Sequence, residues 1–225
     1  MKTSLLKTAW AIARKDLVAE LRSRELVGSM LLFALLAVLI FSFALELDRV
    51  AREEAVSGVL WVTVVFASIL GLNRSMALER EQGGMDALLL APIDRSAVFL
   101  GKLAGNYLFA LAVGVLLLPL MTLLYNITLV NAWVLLVLVL GTLGVSTTGT
   151  LLAAMTVQTR ARESLLPIAL LPVILPVLLA AVRATNGIIA EAPFADWGSW
   201  PQILAAVNVI YIVVCFLMFP YVVEE

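Results

Sequence analysis

The chain contains no histidine. That absence removes the commonest general base, the commonest metal ligand and the commonest haem axial ligand, and with them most hydrolytic triads. Cysteine is nearly absent too. Cys215 stands alone in an apolar run, cannot form an intrachain disulfide, and reads as a small core residue. Charge is scarce, at 14% of 225 residues, and no two aspartates share an apolar run, which excludes an intramembrane aspartyl dyad. The phosphate-binding pattern G-x-x-x-x-G-K-[ST] is missing: Gly101-Lys102 is followed by Leu103 and lacks the upstream glycine, so ATP is not held here by that device. H-E-x-x-H and cysteine clusters are missing as well. The expectation is a non-catalytic chain with no metal site and no cofactor of its own.

What the chain has instead is long apolar runs. Hydrophobic residues make up 63% of it, against about 45–50% in soluble domains, and the mean hydropathy is +1.07. Six runs approach the roughly 20 apolar residues that a membrane-crossing helix needs: residues 27–45, 55–72, 103–124, 132–157, 165–182 and 203–221. Backbone groups in lipid must be satisfied within the segment, so helices are expected, and the alternation of a membrane β-barrel is absent. The fold class is an all-α membrane protein with six transmembrane helices. Arg74, Lys102 and Arg183 lie near run ends, where long side chains can snorkel to the headgroups. With so few charges inside the runs and no internal repeat, a channel or proton-coupled carrier is disfavoured.

Net charge is −1, which marks no basic nucleic-acid-binding surface. The placement of the basic residues is more informative. With the N-terminus inside, Lys2, Lys7, Arg14, Lys15, Arg22, Arg24, Arg74, Arg80, Arg95, Lys102, Arg160 and Arg162 are internal. Only Arg49, Arg52 and Arg183 are external. Basic residues hold short loops in the cytoplasm, so both termini are expected there. The first apolar run starts at Val27 behind six basic residues, with no small-residue cleavage site after it, unlike a signal peptide.

Residues 3–26 read as an amphipathic helix. Leu6, Trp10, Ala13, Leu17 and Leu21 share a face, while Lys15, Asp16 and Arg22 point elsewhere. Two roles fit: an interfacial helix anchoring the first span, or a contact for a cytoplasmic partner. In the longest external loop, Trp197 and Trp200 are expected in the aromatic belt at the outer interface. The small residues of GTLGVSTTGT, Gly141–Thr150, and the pair Gly101 and Gly105 allow close helix approach. Pro167, Pro172 and Pro176 each remove a backbone donor from the fifth run and predict a bent helix.

The segment between the second and third runs, residues 77–102, is the least loop-like loop. Residues 74–82 continue the preceding helix, with Glu79, Arg80 and Glu81 expected in solvent. Gly83-Gly84 then breaks it. Met85-Asp86-Ala87-Leu88-Leu89-Leu90 follows as a short helix whose Met85, Leu88 and Leu89 share a face, and Pro92 stops it. Two placements fit a short apolar-faced helix: a groove in a partner protein, or the lipid headgroup layer.

The pattern E-R-E-x-G-x-M-D-x-L-L-x-x-P, continued to Lys102, resembles the cytoplasmic loop of ABC-2-type permeases. More narrowly, the chain resembles the CcmB family, the haem exporter permeases of cytochrome c maturation. That likeness rests on RKDLVAELRSRE near the start, GVLWV at Gly58–Val62, LGTLG at Leu140–Gly144 and the proline-studded fifth run. The Gly83-Gly84 doublet and Gln82, where acidic residues often stand, depart from the pattern. The resemblance implies a single ABC-2-type transmembrane domain over residues 1–225 in the bacterial cytoplasmic membrane. It implies a coupling helix on which Glu79, Arg80, Glu81, Gly83, Met85, Asp86, Leu88, Leu89 and Pro92 meet a separate ATPase subunit (CcmA-like). ATP and Mg would sit on that subunit. A pair of identical permease subunits, a haem-handling membrane protein (CcmC-like) and a small membrane subunit would complete the complex. Without histidine, the partner is expected to hold the haem. The alternatives are a general ABC-2 exporter of a drug, lipid or glycan, and a non-conducting membrane scaffold.

Overall fold

The computed structural model describes residues 4–44, 49–81, 93–156 and 162–223. All regular structure among them is helical. Helix α1 spans Leu5–Ser23, α2 Glu25–Ala44, α3 Arg49–Glu81, α4 Arg95–Tyr125, α5 Ala132–Thr156, α6 Arg162–Ile189, α7 is the single turn Phe194–Trp197, and α8 spans Ser199–Val223. Six stretches are long and apolar enough to cross a membrane: Glu25–Ala44, Ala55–Glu79, Arg95–Tyr125, Ala132–Thr156, Ser164–Ile189 and Phe194–Val222. They coincide with the six apolar runs but are longer at several ends. At 1.5 Å per residue, the 33 residues of α3 extend about 50 Å, well beyond a hydrocarbon core of about 30 Å. Apolar runs mark what must lie in lipid, whereas helices continue past it.

Helix boundaries follow local chemistry. Arg24 takes the left-handed conformation (φ 55°) and donates its N–H to the Glu20 carbonyl, so α1 closes and α2 starts one residue later. Asp94 caps α4 by accepting from the Ser96 N–H at 2.8 Å. Asn126, also left-handed, ends α4, and the Asn131 side chain accepts from Trp133 N–H at the start of α5.

Helices α3 and α5 form the interior, each 72% buried over its span, while α2 and α8 are 22% buried and expose most of their surface. Helix α5 packs against α3, α4, α6 and α8. Its small residues make that possible. A Cβ on Gly141 would lie 2.1 Å from the Trp61 ring, and one on Gly144 would lie 2.7 Å from Asn208 Oδ1. The indole of Trp61 donates to Thr185 on α6 at 3.0 Å, and Asn208 on α8 donates to the Leu140 carbonyl at 2.8 Å. Thr142, Thr147 and Thr148 return their hydroxyls to carbonyls of their own helix. The glycine-rich stretch is therefore packing surface.

Pro167, Pro172 and Pro176 lie inside an uninterrupted α6. Beside them the Tyr211 hydroxyl of α8 donates to the Val173 carbonyl, which gives a backbone acceptor in the proline-rich stretch a partner. At the end where the aromatic belt is expected, the two tryptophans are not freely exposed. Trp197 is buried, donates to the Ala192 carbonyl at 3.1 Å and packs its ring against Trp133 and Phe194, with centroids 5.4 and 4.9 Å away. The exposed aromatic surface at this end belongs to Trp133 and Phe194, and Trp200 is half-buried. Gly187 explains the difference: it leaves room for the Trp197 Cβ, which would stand 2.4 Å from a Cβ there, so the indole turns inward.

Candidate functional site

The site lies where α1 meets the last turn of α3 and the first turns of α4, the two helices that flank residues 82–92. Helix α1 docks on α4 through small residues. A Cβ on Gly101 would lie 2.7 Å from Ile12 Cβ and 2.8 Å from the Ala9 carbonyl, so glycine is required for this approach. Ala9, Ile12 and Ala13 are buried in the seam. The Leu6, Trp10 and Leu21 stripe remains exposed on another face. Ile12 also enters a buried apolar cluster with Val98, Phe99 and Leu103 of α4.

At the centre of the seam is a closed ring of alternating charge. Lys102 Nζ donates to Asp16 Oδ2 at 2.9 Å and is ion-paired and hydrogen-bonded to Glu79. Lys15 Nζ donates to Glu79 Oε1 at 2.9 Å and lies 3.5 Å from Asp16 Oδ1. Lys102 is 1% exposed, Glu79 7% and Asp16 13%, whereas half of Lys15 reaches solvent. Burial disfavours the Lys15 ammonium, but its hydrogen bond to Glu79 and the charges of Asp16 and Glu79 prevail, so its pKa lies above the ordinary lysine value. One turn along α1, the Glu20 carboxylate accepts from the backbone N–H groups of Leu26 (3.2 Å) and Val27 (2.8 Å). It thereby caps α2, where the helix dipole favours negative charge. A cavity of about 280 Å³ opens beside the ring, lined among others by Asp16, Glu20, Ser75, Glu79 and Lys102.

The expectations for this region fare differently. Glu79 is not in solvent: it is buried and paired within the chain. Lys102 does not snorkel either. Because α4 begins at Arg95, Lys102 sits two turns inside the helix and meets carboxylates rather than headgroups. Arg80 and Glu81 fall in the last turn of α3, and their side chains lie outside the described residues. Gly83, Met85, Asp86, Leu88, Leu89 and Pro92 lie outside them altogether. Sequence reasoning missed Asp16, Lys15 and Glu20 as partners in this site. The available signal was Lys102 itself, a lysine flanked by apolar residues and small ones, which calls for a carboxylate from elsewhere. Among the described residues, no group of three or more His, Cys, Asp or Glu side chains could hold a metal ion.

The sequence pattern of the CcmB protein family matches residues 7–224. The chain belongs to the CcmB family. Similar CcmB relatives include the heme exporter protein B of Rhodobacter capsulatus, 31% identical over 190 residues, covering 82% of this chain and 87% of the relative. That of Bradyrhizobium diazoefficiens is 28% identical over 207 residues, 91% of each chain. That of Pseudomonas aeruginosa is 28% identical over 196 residues, 87% of each chain. The CcmB match takes in α1 from Lys7 onward, the charge ring and every candidate span.

Proposed function

We propose that the chain is the membrane permease subunit of an ABC complex that serves haem export in cytochrome c maturation. The observation that carries this reading is the CcmB match over residues 7–224, joined by relatives named heme exporter protein B over most of their length. The chain is non-catalytic, and ATP and Mg belong to a separate CcmA-like ATPase subunit. That subunit docks on the segment between α3 and α4, chiefly through Met85, Leu88 and Leu89, with Asp86, Gly83 and Pro92 shaping the helix and Arg80 and Glu81 at its approach. Glu79 contributes from behind this surface, since its carboxylate is engaged by Lys15 and Lys102.

Both termini face the cytoplasm of the bacterial inner membrane, and α1 lies in the interface. Two features support that placement: α1 is joined to the first span through Arg24 alone, and its Leu6, Trp10 and Leu21 stripe is uncovered. The permease pairs with a second copy of itself. A CcmC-like membrane protein holds the haem, consistent with a chain devoid of histidine, and a small membrane subunit completes the assembly. The role of this chain is to pass the ATPase cycle to that haem-handling partner.

Deleting the chain and measuring c-type cytochromes tests the reading. The expected result is their loss, with recovery when the chain is restored. Unchanged cytochromes would point to export of a different substrate.

A further inference from the structure

We propose that Ser68, Asn106 and Ser146 form a water-binding site at mid-depth of the helical bundle, the inner end of a solvent inlet that Leu26 and Phe109 close. The three residues come from three helices, α3, α4 and α5. Ser68 and Ser146 stand near the middle of the candidate spans Ala55–Glu79 and Ala132–Thr156, where a polar group without a partner is costly. Ser68 is 3% exposed, Asn106 6% and Ser146 1%. The Ser68 hydroxyl donates to the Val64 carbonyl at 2.7 Å, and Asn106 gives its amide N–H to Thr150 at 3.0 Å. Among the described residues, neither Asn106 Oδ1 nor the Ser146 hydroxyl has a hydrogen-bond partner. Both residues line a cavity of about 10 Å³ with Ser68, and Leu26, Met30 and Phe109 form apolar walls of it. One water needs roughly 10–15 Å³ and two to four polar partners. A water here donates to Asn106 Oδ1 and Ser68 Oγ and accepts from the Ser146 hydroxyl.

The route to this site is marked by a shared wall. Leu26 and Phe109 also line the cavity of about 280 Å³ beside the charge ring, where Ser75, Glu79 and Lys102 are polar neighbours. Two buried apolar side chains, 4% and 7% exposed, therefore stand between a charged mouth and a polar end. Ser75 and Ser68 lie seven residues apart on α3, about 10 Å along the helix. Side-chain rotation of Phe109 and Leu26 joins the two spaces without moving a helix. The inlet leads water into the seam between α3 and α5, the interior pair, from the end that carries the charge ring. That this end faces the cytoplasm rests on the proposed placement of the termini.

Thiol accessibility in the full complex tests the inlet. In a Cys215→Ala background, Ser75→Cys, Ser68→Cys and Ser146→Cys are made one at a time, so that two polar partners remain at the inner site. Inside-out membrane vesicles are treated with a membrane-impermeant thiol reagent, and the label is read on this chain alone. Ser75→Cys is expected to react at least tenfold faster than Ser68→Cys or Ser146→Cys. Phe109→Ala, or Leu26→Ala should the first variant be poorly inserted, is expected to speed the two inner positions at least tenfold. Ser75→Cys should stay within twofold, and Ala180→Cys, buried on α6, should stay unlabelled. Adding Asn106→Leu to the opened variant is expected to return the inner positions to the slow rate, since the site loses its polar centre. The proposal is overturned if the inner positions react as fast as Ser75→Cys in the parent, or stay slow in both opened variants. It is overturned equally if Ala180→Cys speeds up alongside them, or if Asn106→Leu leaves them fast. Labelling of Ser75→Cys only from the opposite face of the membrane would refute the placement of the termini and leave the inlet standing.

Discussion

Lys102 is the most deeply buried charged residue of the ring at the α1 seam, 1% exposed and shared between two carboxylates. Stripping the partner from a buried charge typically costs about 3–5 kcal/mol. Lys102→Met should cost less than that, because Glu79 and Asp16 keep Lys15 as a neighbour. Lys15→Met should cost less again, about 0–1 kcal/mol, because its ammonium is half exposed and screened. Thermal unfolding in detergent is expected to rank them in that order, and the double variant Glu79→Met/Lys102→Met should be more stable than Lys102→Met alone. The Lys15 contribution has a definite pH window. Its pKa is raised above the ordinary lysine value of 10.5, so its stabilisation is complete below that value and fades as pH climbs through the raised one. The Tm difference between the parent and Lys15→Met should accordingly be flat from neutral pH to about 10 and shrink beyond it. Lys102 was visible in the sequence as a charge at the edge of an apolar run. Its partner Asp16, one of two, was not, because Asp16 lies 86 positions away, and nothing local records a contact across that separation.

Among elements, the helices were legible because lipid forces them to be. An apolar run long enough to span the membrane has no alternative to helix that satisfies its backbone. Which face of each helix packs was less legible. In α1 the large apolar stripe is the obvious feature, yet the buried face is that of Ala9, Ile12, Ala13 and Glu20. The large stripe stays outward, and the packed face places Ile12 in a buried cluster with Val98, Phe99 and Leu103 of α4, flanked by the small Ala9 and Ala13. The small-residue stretch of α5 was read as packing surface and is one. Two substitutions test how tight it is. Gly141→Ala places a methyl 2.1 Å from the Trp61 ring and should destabilise by about 1–3 kcal/mol, in the range of overpacked cores. Gly58→Ala meets nothing within 4 Å and should gain up to about 1 kcal/mol from helix propensity. Melting curves of the two variants in the same detergent check both signs. The three prolines from which a bend is expected lie within a continuous α6, and Tyr211 donates to the Val173 carbonyl beside them.

At the scale of the molecule, four of the six candidate spans surround an interior of the other two, α3 and α5, and α1 packs on α4 and α2. Composition alone indicated a membrane protein without catalytic groups. The architecture adds that Glu79 near the end of α3 and Lys102 near the start of α4 are ion-paired to each other and to α1. The proposed point of entry for a separate ATPase is the segment between α3 and α4, through Leu88 and Leu89. Burying a leucine is worth about 1.5–3 kcal/mol, and each 1.4 kcal/mol is about tenfold in affinity. Leu88→Asp/Leu89→Asp should therefore lower ATPase co-purification by about a hundredfold or more while the chain stays in the membrane at its normal level. Co-purification at the parental level, with the chain normally inserted, would contradict the account.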